Sequence, residues 1–421
     1  MTTKTETASA PAVKPRLLSG LLLLFLLAMI LANVGGNMYG PLLPLYLEQL
    51  NAGVGQIGLF FTLSAIIPLA LQILGGWVSD SVGRLRAIAF GSVAGICAYT
   101  VFILAPTWQW LLLAAAFQSV GGSLVAPSFD AFIAEHSSEA NRARVFGITQ
   151  ALFTVVSVIG PALGGWLAQA YGFKPMLMIA ASLYLIAALI RIGMARRAAR
   201  GEEANAGKLS FSGLKVNMRA VFGMAIAGGL VTWILLTDGV RDIAFGLSGN
   251  LLPLYCQEIG GLSLRDIGLL NSVFGLFMML SNIPGGWLAD KRGERAGIAL
   301  GMLLVGVAVG LIIYLPMTSV WLYSPGWAIF GLGIGIMSPA YQSLISKAFP
   351  KELRGTAFGL FSTSIGLISL PAPWLGAQLW ERLTPRLPFA VSALLSFLVV
   401  IPIWVKLRLP AKTGSLENEP S

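Results

Sequence analysis

The run Thr237-Asp238-Gly239-Val240-Arg241-Asp242 puts three ionisable groups inside an otherwise apolar segment. Charge of this kind is costly in hydrocarbon, so such groups face a cavity or one another. Asp238 and Asp242 are four residues apart on one helix face, and Arg241 can reach either. Counting back from Pro253 at about 1.5 Å per residue places Asp242 roughly 16 Å deep and Asp238 roughly 22 Å. Both depths fall near the middle of a hydrocarbon layer roughly 30 Å thick. Burial favours a neutral carboxyl, whereas an adjacent guanidinium favours the carboxylate. A carboxyl balanced between the two is suited to taking up and releasing a proton. The same three residues also fit an ion pair closed on itself, and the sequence leaves both readings open.

Other chemistry is sparse. The single histidine, His136, falls in a polar loop, and the two cysteines, Cys97 and Cys256, fall in different halves of the chain. This excludes a disulfide framework and leaves no metal cluster. No nucleophile with a base is visible, so the chain is expected not to be an enzyme and to need no cofactor or metal. Further polar groups that could line a cavity are Asn33 and Asn37, on one face of the first apolar segment, with Gln118 in the fourth and Tyr39, Gln150, Trp233, Asn271, Tyr341 and Gln342 as weaker candidates. With so little charge at depth, the expected substrate is an amphipathic or apolar small molecule. A phosphate or polycarboxylate would need several cavity cations.

The elements that must position these groups follow from composition. Hydrophobic residues make up 56% of the chain and charged residues 11%, against about 25% charged in soluble domains. Repeated apolar runs of roughly 20 residues imply a polytopic helical membrane protein. Twelve such segments fall near 17–46, 55–79, 87–105, 108–132, 145–171, 174–195, 221–254, 265–289, 295–316, 319–346, 355–380 and 385–407. They predict an N-terminal tail over 1–16, a six-helix bundle over 17–195, a polar linker over 196–220, a second bundle over 221–407 and a tail over 408–421. The first apolar run is too long for a removable signal peptide and reads as a transmembrane helix.

The net charge of +10 invites a nucleic-acid reading, but the cations lie in short loops. With both termini inside, all but five of the 28 Lys and Arg fall in inward-facing segments, Arg191 among them. That asymmetry predicts a multi-pass protein of the plasma (inner) membrane with cytoplasmic termini. The expected partners are the bilayer, a small-molecule substrate and protons, with no nucleic acid, and the protein is expected to be a monomer.

The chain is also duplicated. Leu42-Leu43-Pro44-Leu45-Tyr46 recurs as Leu251-Leu252-Pro253-Leu254-Tyr255, and Ile57-Gly58-Leu59 recurs as Ile267-Gly268-Leu269. Pro127, Arg142 and Gly147 have counterparts, all at one constant offset, in Pro339, Arg354 and Gly359. The expected fold is all-α, with twelve transmembrane helices as two parallel six-helix pseudo-repeats around a central cavity. By the offset of Pro44 to Pro253, Asn33 is the counterpart of Asp242.

The most distinctive duplicated stretch carries Gly76, Asp80, Gly83, Arg84 and Arg86 in the first half and Gly286, Asp290, Gly293 and Arg295 in the second, with Glu294 after the second turn glycine. With the twelve segments, this pattern resembles the major facilitator superfamily of transporters over nearly the whole chain. Gly147, Gly160, Pro161, Gly164 and Gly165 resemble the fifth-helix signature of that family's drug–proton antiporters, with Val156 in place of a further glycine. The Arg that those antiporters usually carry in the fourth helix falls here on Ala115.

The resemblance implies that the Gly76–Arg86 stretch, with Asp130 nearby, latches the two halves on the cytoplasmic side by docking on the eleventh helix, near Gly355. It implies a bend and seal between the fifth and eighth helices at Gly160–Gly165. The function it implies is proton-coupled efflux by alternating access. A facilitator or symporter for a small metabolite or lipid fits the same fold, and a non-transporting membrane sensor is the remaining alternative.

Overall fold

The computed structural model describes residues 20–82, 84–137, 139–198, 223, 229–315, 319–349 and 366–408; the side chains of 72–82, 140 and 143 lie outside that description. An apolar chain in lipid must satisfy its backbone groups within itself, and the described residues are helical almost throughout. The main helices are α1 (Gly20–Tyr39), α2 (Val54–Val82), α3 (Arg84–Leu104), α4 (Trp110–His136), α5 (Glu139–Tyr171) and α6 (Phe173–Ala198) in the first half. The second half holds α7 (Leu230–Ser248), α8 (Leu264–Arg292), α9 (Glu294–Tyr314), α10 (Val320–Ala348), α11 (Ala372–Arg382) and α12 (Leu387–Leu398).

Ten helical stretches among the described residues are long and apolar enough to cross a membrane. The exceptions are α7, which carries Asp238, Arg241 and Asp242, and α11, whose described part is only 11 residues long. The protein is therefore an all-α multi-pass membrane protein.

The packing repeats from half to half. In the first, α1 packs on α5 and α6, and α4 on α2 and α3; in the second, α7 packs on α11 and α12, and α10 on α8 and α9. Between the halves, α5 meets α8 and α11 meets α2. These are the contacts of two parallel pseudo-repeats about one axis.

One detail explains the numbering of the repeat. Beyond α1 the chain continues through a 3-10 turn, Gly40–Leu42, into a short helix, Leu43–Gln49. Beyond α7 it runs through Gly249–Leu251 and Leu252–Leu254 into a π-helical turn, Tyr255–Ile259. A π turn accommodates one extra residue. The offset between halves is accordingly longer by one after it, at Ile57 and Ile267, than before it, at Pro44 and Pro253.

The sequence groups Arg191 with the basic residues of inward-facing segments, but the structure buries it, at 1% exposure. From α6 its guanidinium donates to the Ala28 carbonyl at 3.2 Å, to Met29 Sδ at 3.0 Å and to Ser92 Oγ at 3.4 Å. It also lies 5.8 Å from the Tyr184 ring centre. One planar fork thus ties α1, α3 and α6 together where side-chain hydrogen bonds can reinforce packing. Arg191→Ala removes a large buried side chain and strands a carbonyl, and should lower the melting temperature in detergent by several degrees. Arg191→Lys keeps the charge without the fork and should recover only part. Melting indistinguishable from wild type in the alanine variant would remove Arg191 from this role.

Candidate functional site

Two arrangements stand out: lines of close backbone contacts between the halves, and a charged triplet where one of those lines ends. We call the face that carries the α2–α3 and α8–α9 turns the basic face, and the other the opposite face.

The close contacts start from Gly160-Pro161 and Gly164-Gly165 on α5. They serve two neighbours, not one. Gly160 and Gly164 face α1, where an added Cβ would lie 2.5 Å from Asn37 Cβ and 1.9 Å from the Met38 carbonyl oxygen. Pro161 and Gly165 face α8: a Cβ on Gly268 would lie 2.4 Å from the Pro161 oxygen and 2.9 Å from Gly165 Cα. Helix α5 runs unbroken through Pro161. At Gly147, by contrast, an added Cβ meets nothing within 4 Å.

The same arrangement recurs in the second half, where the sequence reading does not anticipate it. Ala372-Pro373 and Gly376-Ala377 on α11 occupy the equivalent places, at the offset that relates Pro127 to Pro339. A Cβ on Gly376 would lie 1.9 Å from the Leu247 oxygen of α7, the counterpart of Met38. A Cβ on Gly58 of α2, the counterpart of Gly268, would lie 2.6 Å from the Pro373 oxygen and 2.4 Å from Ala377 Cβ. Two symmetry-related seams therefore close the opposite face. Along α5 and α8 the seam runs from Gly165 and Gly268 to Ser157 and Gly275. Along α2 and α11 it runs from Gly58 and Ala377, past a hydrogen bond from the Trp374 amide to Thr62 Oγ1, to Leu69 and Gly366.

Toward the basic face, the described ion pairs stay within one half. Arg84 begins α3, and its Nε lies 3.4 Å from Glu135 on α4. The equivalent positions in the second half are Glu294 and Lys347, and these pair on α9 and α10 with the charges exchanged. Glu294 also accepts from Ser343 at 2.9 Å. Gly293 turns the chain between α8 and α9 at φ 86°, a conformation that favours glycine. Arg295 donates to the Trp404 carbonyl at 3.3 Å, and Asp290, Arg86 and Asp130 are exposed. Gly83, Gly355 and the side chains at 76 and 80 lie outside the described residues. The described close contacts between the halves thus lie along the two seams at the opposite face, and the described ion pairs of the basic face lie within each half.

The charged triplet lies where the second seam ends. Gly239, inside the triplet, faces Ile368, in the stretch that leads into α11, two residues from the Leu69–Gly366 contact. Arg241 bridges both carboxylates: Nη1 is 2.5 Å from Asp238 and Nη2 is 2.8 Å from Asp242. Its guanidinium lies 4.6 Å from the centre of the Tyr341 ring on α10. Asp238 is buried at 5% exposure, while the Asp242 side chain is about one-third exposed, at 32%. The triplet carries a net charge of −1 when both acids are ionised, and Asp242 is its accessible end. Asn33 and Asn37 are half-buried on α1 and donate to the Met29 and Asn33 carbonyls, and Gln118 is exposed on α4. No described hydrogen bond joins these three to the triplet.

Between the seams lies a cavity of about 190 Å³ to which Phe61, Asn250, Asn271, Phe274, Trp327 and Phe330 contribute. None of its lining residues is charged.

Comparison with known proteins agrees with this architecture. A family model described as Major Facilitator Superfamily matches residues 25–241 and again 234–421. The multidrug resistance protein MdtG of Citrobacter koseri is 25% identical over 382 residues, covering 87% of this chain and 90% of that protein. A multi-drug resistance efflux pump PmrA homolog of Lactococcus lactis is 27% identical over 384 residues, covering 86% and 88%. Among solved structures, the nucleoside transporter NupG superposes with a TM-score of 0.77 at 12% identity, covering 92% of this chain and 100% of that one. A peptide transporter POT superposes at 0.74 with 14% identity, covering 91% and 93%. At these identities the structural likeness speaks for the fold alone.

The seams make a direct prediction. Gly268→Val places carbon against backbone that cannot yield, so it should hold the opposite face apart. The disulfide formed between Thr62→Cys and Trp374→Cys should then form roughly tenfold more slowly or worse, while Gly147→Ala leaves its rate unchanged. Equal cross-linking in the Gly268 variant would show that the close approach does not control closure.

Proposed function

The chain belongs to the Major Facilitator Superfamily, and from that premise we propose that it exports an amphipathic or apolar small molecule in exchange for protons, by alternating access. The observation that carries this reading is the position of the triplet. Asp238, Arg241 and Asp242 sit at the end of the seam, with Asp242 as the partly exposed carboxyl. By the distribution of Lys and Arg, the basic face is cytoplasmic. A carboxyl at this boundary is reached from one compartment while the opposite face is closed, and from the other once the halves rock. Binding or losing a proton changes the triplet's net charge in a low-dielectric setting, where one charge weighs heavily.

The scarcity of charge at depth supports an apolar or amphipathic cargo. So do relatives named for multidrug resistance and multidrug efflux. A second reading has its own support: Arg241 pairs with both carboxylates at once, as a structural ion pair would. The protein would then be a facilitator without proton coupling.

Inverted membrane vesicles separate the two. With a fluorescent lipophilic dye as cargo, an imposed pH gradient should drive accumulation by the wild type. Asp238→Asn combined with Asp242→Asn should reduce it to the level of vesicles without the protein, while dye counterflow persists. Undiminished gradient-driven accumulation in the double variant would take these carboxyls out of the coupling role. Wild-type transport that ignores the gradient would favour the facilitator.

A further inference from the structure

The closed seams end, at the opposite face, in two hydrogen bonds that cross between the halves. The Gly55 amide donates to Glu381 Oε1 at 2.6 Å, and the Leu264 amide donates to Gln169 Oε1 at 3.1 Å. Gln169 and Glu381 are counterparts in the repeat, at the ends of α5 and α11. Gly55 and Leu264 both lie in the first turn of a helix of the other half, α2 and α8. Each half thus lends a side-chain oxygen to the N-terminus of a helix in its partner half.

The two sites differ in what they would lose if separated. A helix leaves its first amides without internal partners, and an N-cap side chain normally accepts one of them. At α8 the N-cap is Ser263, whose hydroxyl accepts from the Asp266 amide at 3.2 Å in a capping box. That helix start is served from within its own half, and Gln169 adds one neutral contact. At α2 the preceding residue is Gly53, whose carbonyl accepts the first helical bond from Ile57. Glycine has no side chain with which to cap. The acceptor for the Gly55 amide comes instead from Glu381, across the interface, and it brings a charge suited to the positive end of the helix.

We infer that Glu381 is a positioning residue of the transport cycle: as the N-cap of α2 supplied in trans, it holds the opposite face shut, with Gln169 as a weaker counterpart. This inference rests on the alternating-access reading. It adds to that reading the side chain that sets how readily the closed form opens. Opening this face breaks the α2 cap, whereas opening the α8 site leaves a capped helix behind. The balance between the two forms should therefore respond unequally to the two counterparts.

Pulsed electron paramagnetic resonance on the full chain in lipid nanodiscs tests this. Spin labels go on Gln49→Cys and Leu383→Cys, exposed at the opposite face in different halves, with Cys97→Ser in the background. The wild type should populate mainly the short distance. Glu381→Ala should raise the ratio of long to short distance by about fivefold to tenfold, and Glu381→Gln, which keeps an acceptor without charge, by less. Gln169→Ala should shift it least. Thermal stability should hardly move, since all these side chains are exposed.

A distribution for Glu381→Ala that superimposes on wild type, while Gly268→Val opens the face, overturns the latch and leaves alternating access standing. A shift in Gln169→Ala as large as that in Glu381→Ala overturns the asymmetry on which the inference depends. A single short distance in every variant, Gly268→Val included, overturns the alternating-access reading itself.

Discussion

A proline carbonyl pressed against a glycine of the facing half is the contact on which the rest of the structure depends. It occurs twice, as Pro161 on Gly268 and Pro373 on Gly58. In lipid no hydrophobic force drives helices together, so close packing and a few hydrogen bonds must do so. Each of these glycines admits a backbone that any side chain would keep away. On the reverse side of α5 and α11, Gly164 and Gly376 bring the backbones of α1 and α7 equally close. One short motif therefore positions the helix that carries the triplet and also seals the face beyond it. The chain leading into α11 meets the triplet at Ile368 and α11 itself forms the seam, so the two features share one stretch of chain.

Much of this is legible in the sequence. The twelve segments, the parallel repeat and the triplet follow from hydropathy, spacing and charge. The fifth-helix motif is readable because its small residues are glycines. Its twin on α11 is hidden because two of them are alanines, Ala372 and Ala377. The offset already fixed by Pro127 and Pro339 is the signal that could find it. The helix caps supplied in trans are not legible at all, since capping rules look within a few residues and Glu381 lies 326 residues from Gly55. Arg191 is misplaced for a related reason. Charge counting assigns a cation near a helix end to the loop, whereas three neighbouring helices offer it acceptors inside the bundle.

The basic face illustrates what duplication preserves. Arg84 with Glu135 and Glu294 with Lys347 are one ion pair with its polarity reversed. Seen by residue type, Glu294 is a departure from the repeated pattern. Seen as a pair, it is kept: the partner changed sign along with it. What the fold requires at that corner is attraction between the start of the third helix in each half and the end of the fourth, and either polarity supplies it.

At two places the halves differ in charge where symmetry would be costly or idle. The counterpart of Asp242 is Asn33, a neutral group on the first helix. A second acidic triplet about the same axis would put two net negative charges at one depth of a low-dielectric layer. Their mutual repulsion would add to the desolvation each already bears. One charged triplet matched by a neutral counterpart avoids that repulsion. The same division recurs at the rim, where a glycine N-cap is matched by an anionic residue from across the interface and a serine N-cap by a neutral one. The scaffold is symmetric where backbones touch, because the clearance between helices is set by geometry that both halves share. It is asymmetric where charge is placed, because like charges repeated about the axis at one depth would repel one another across a low-dielectric layer.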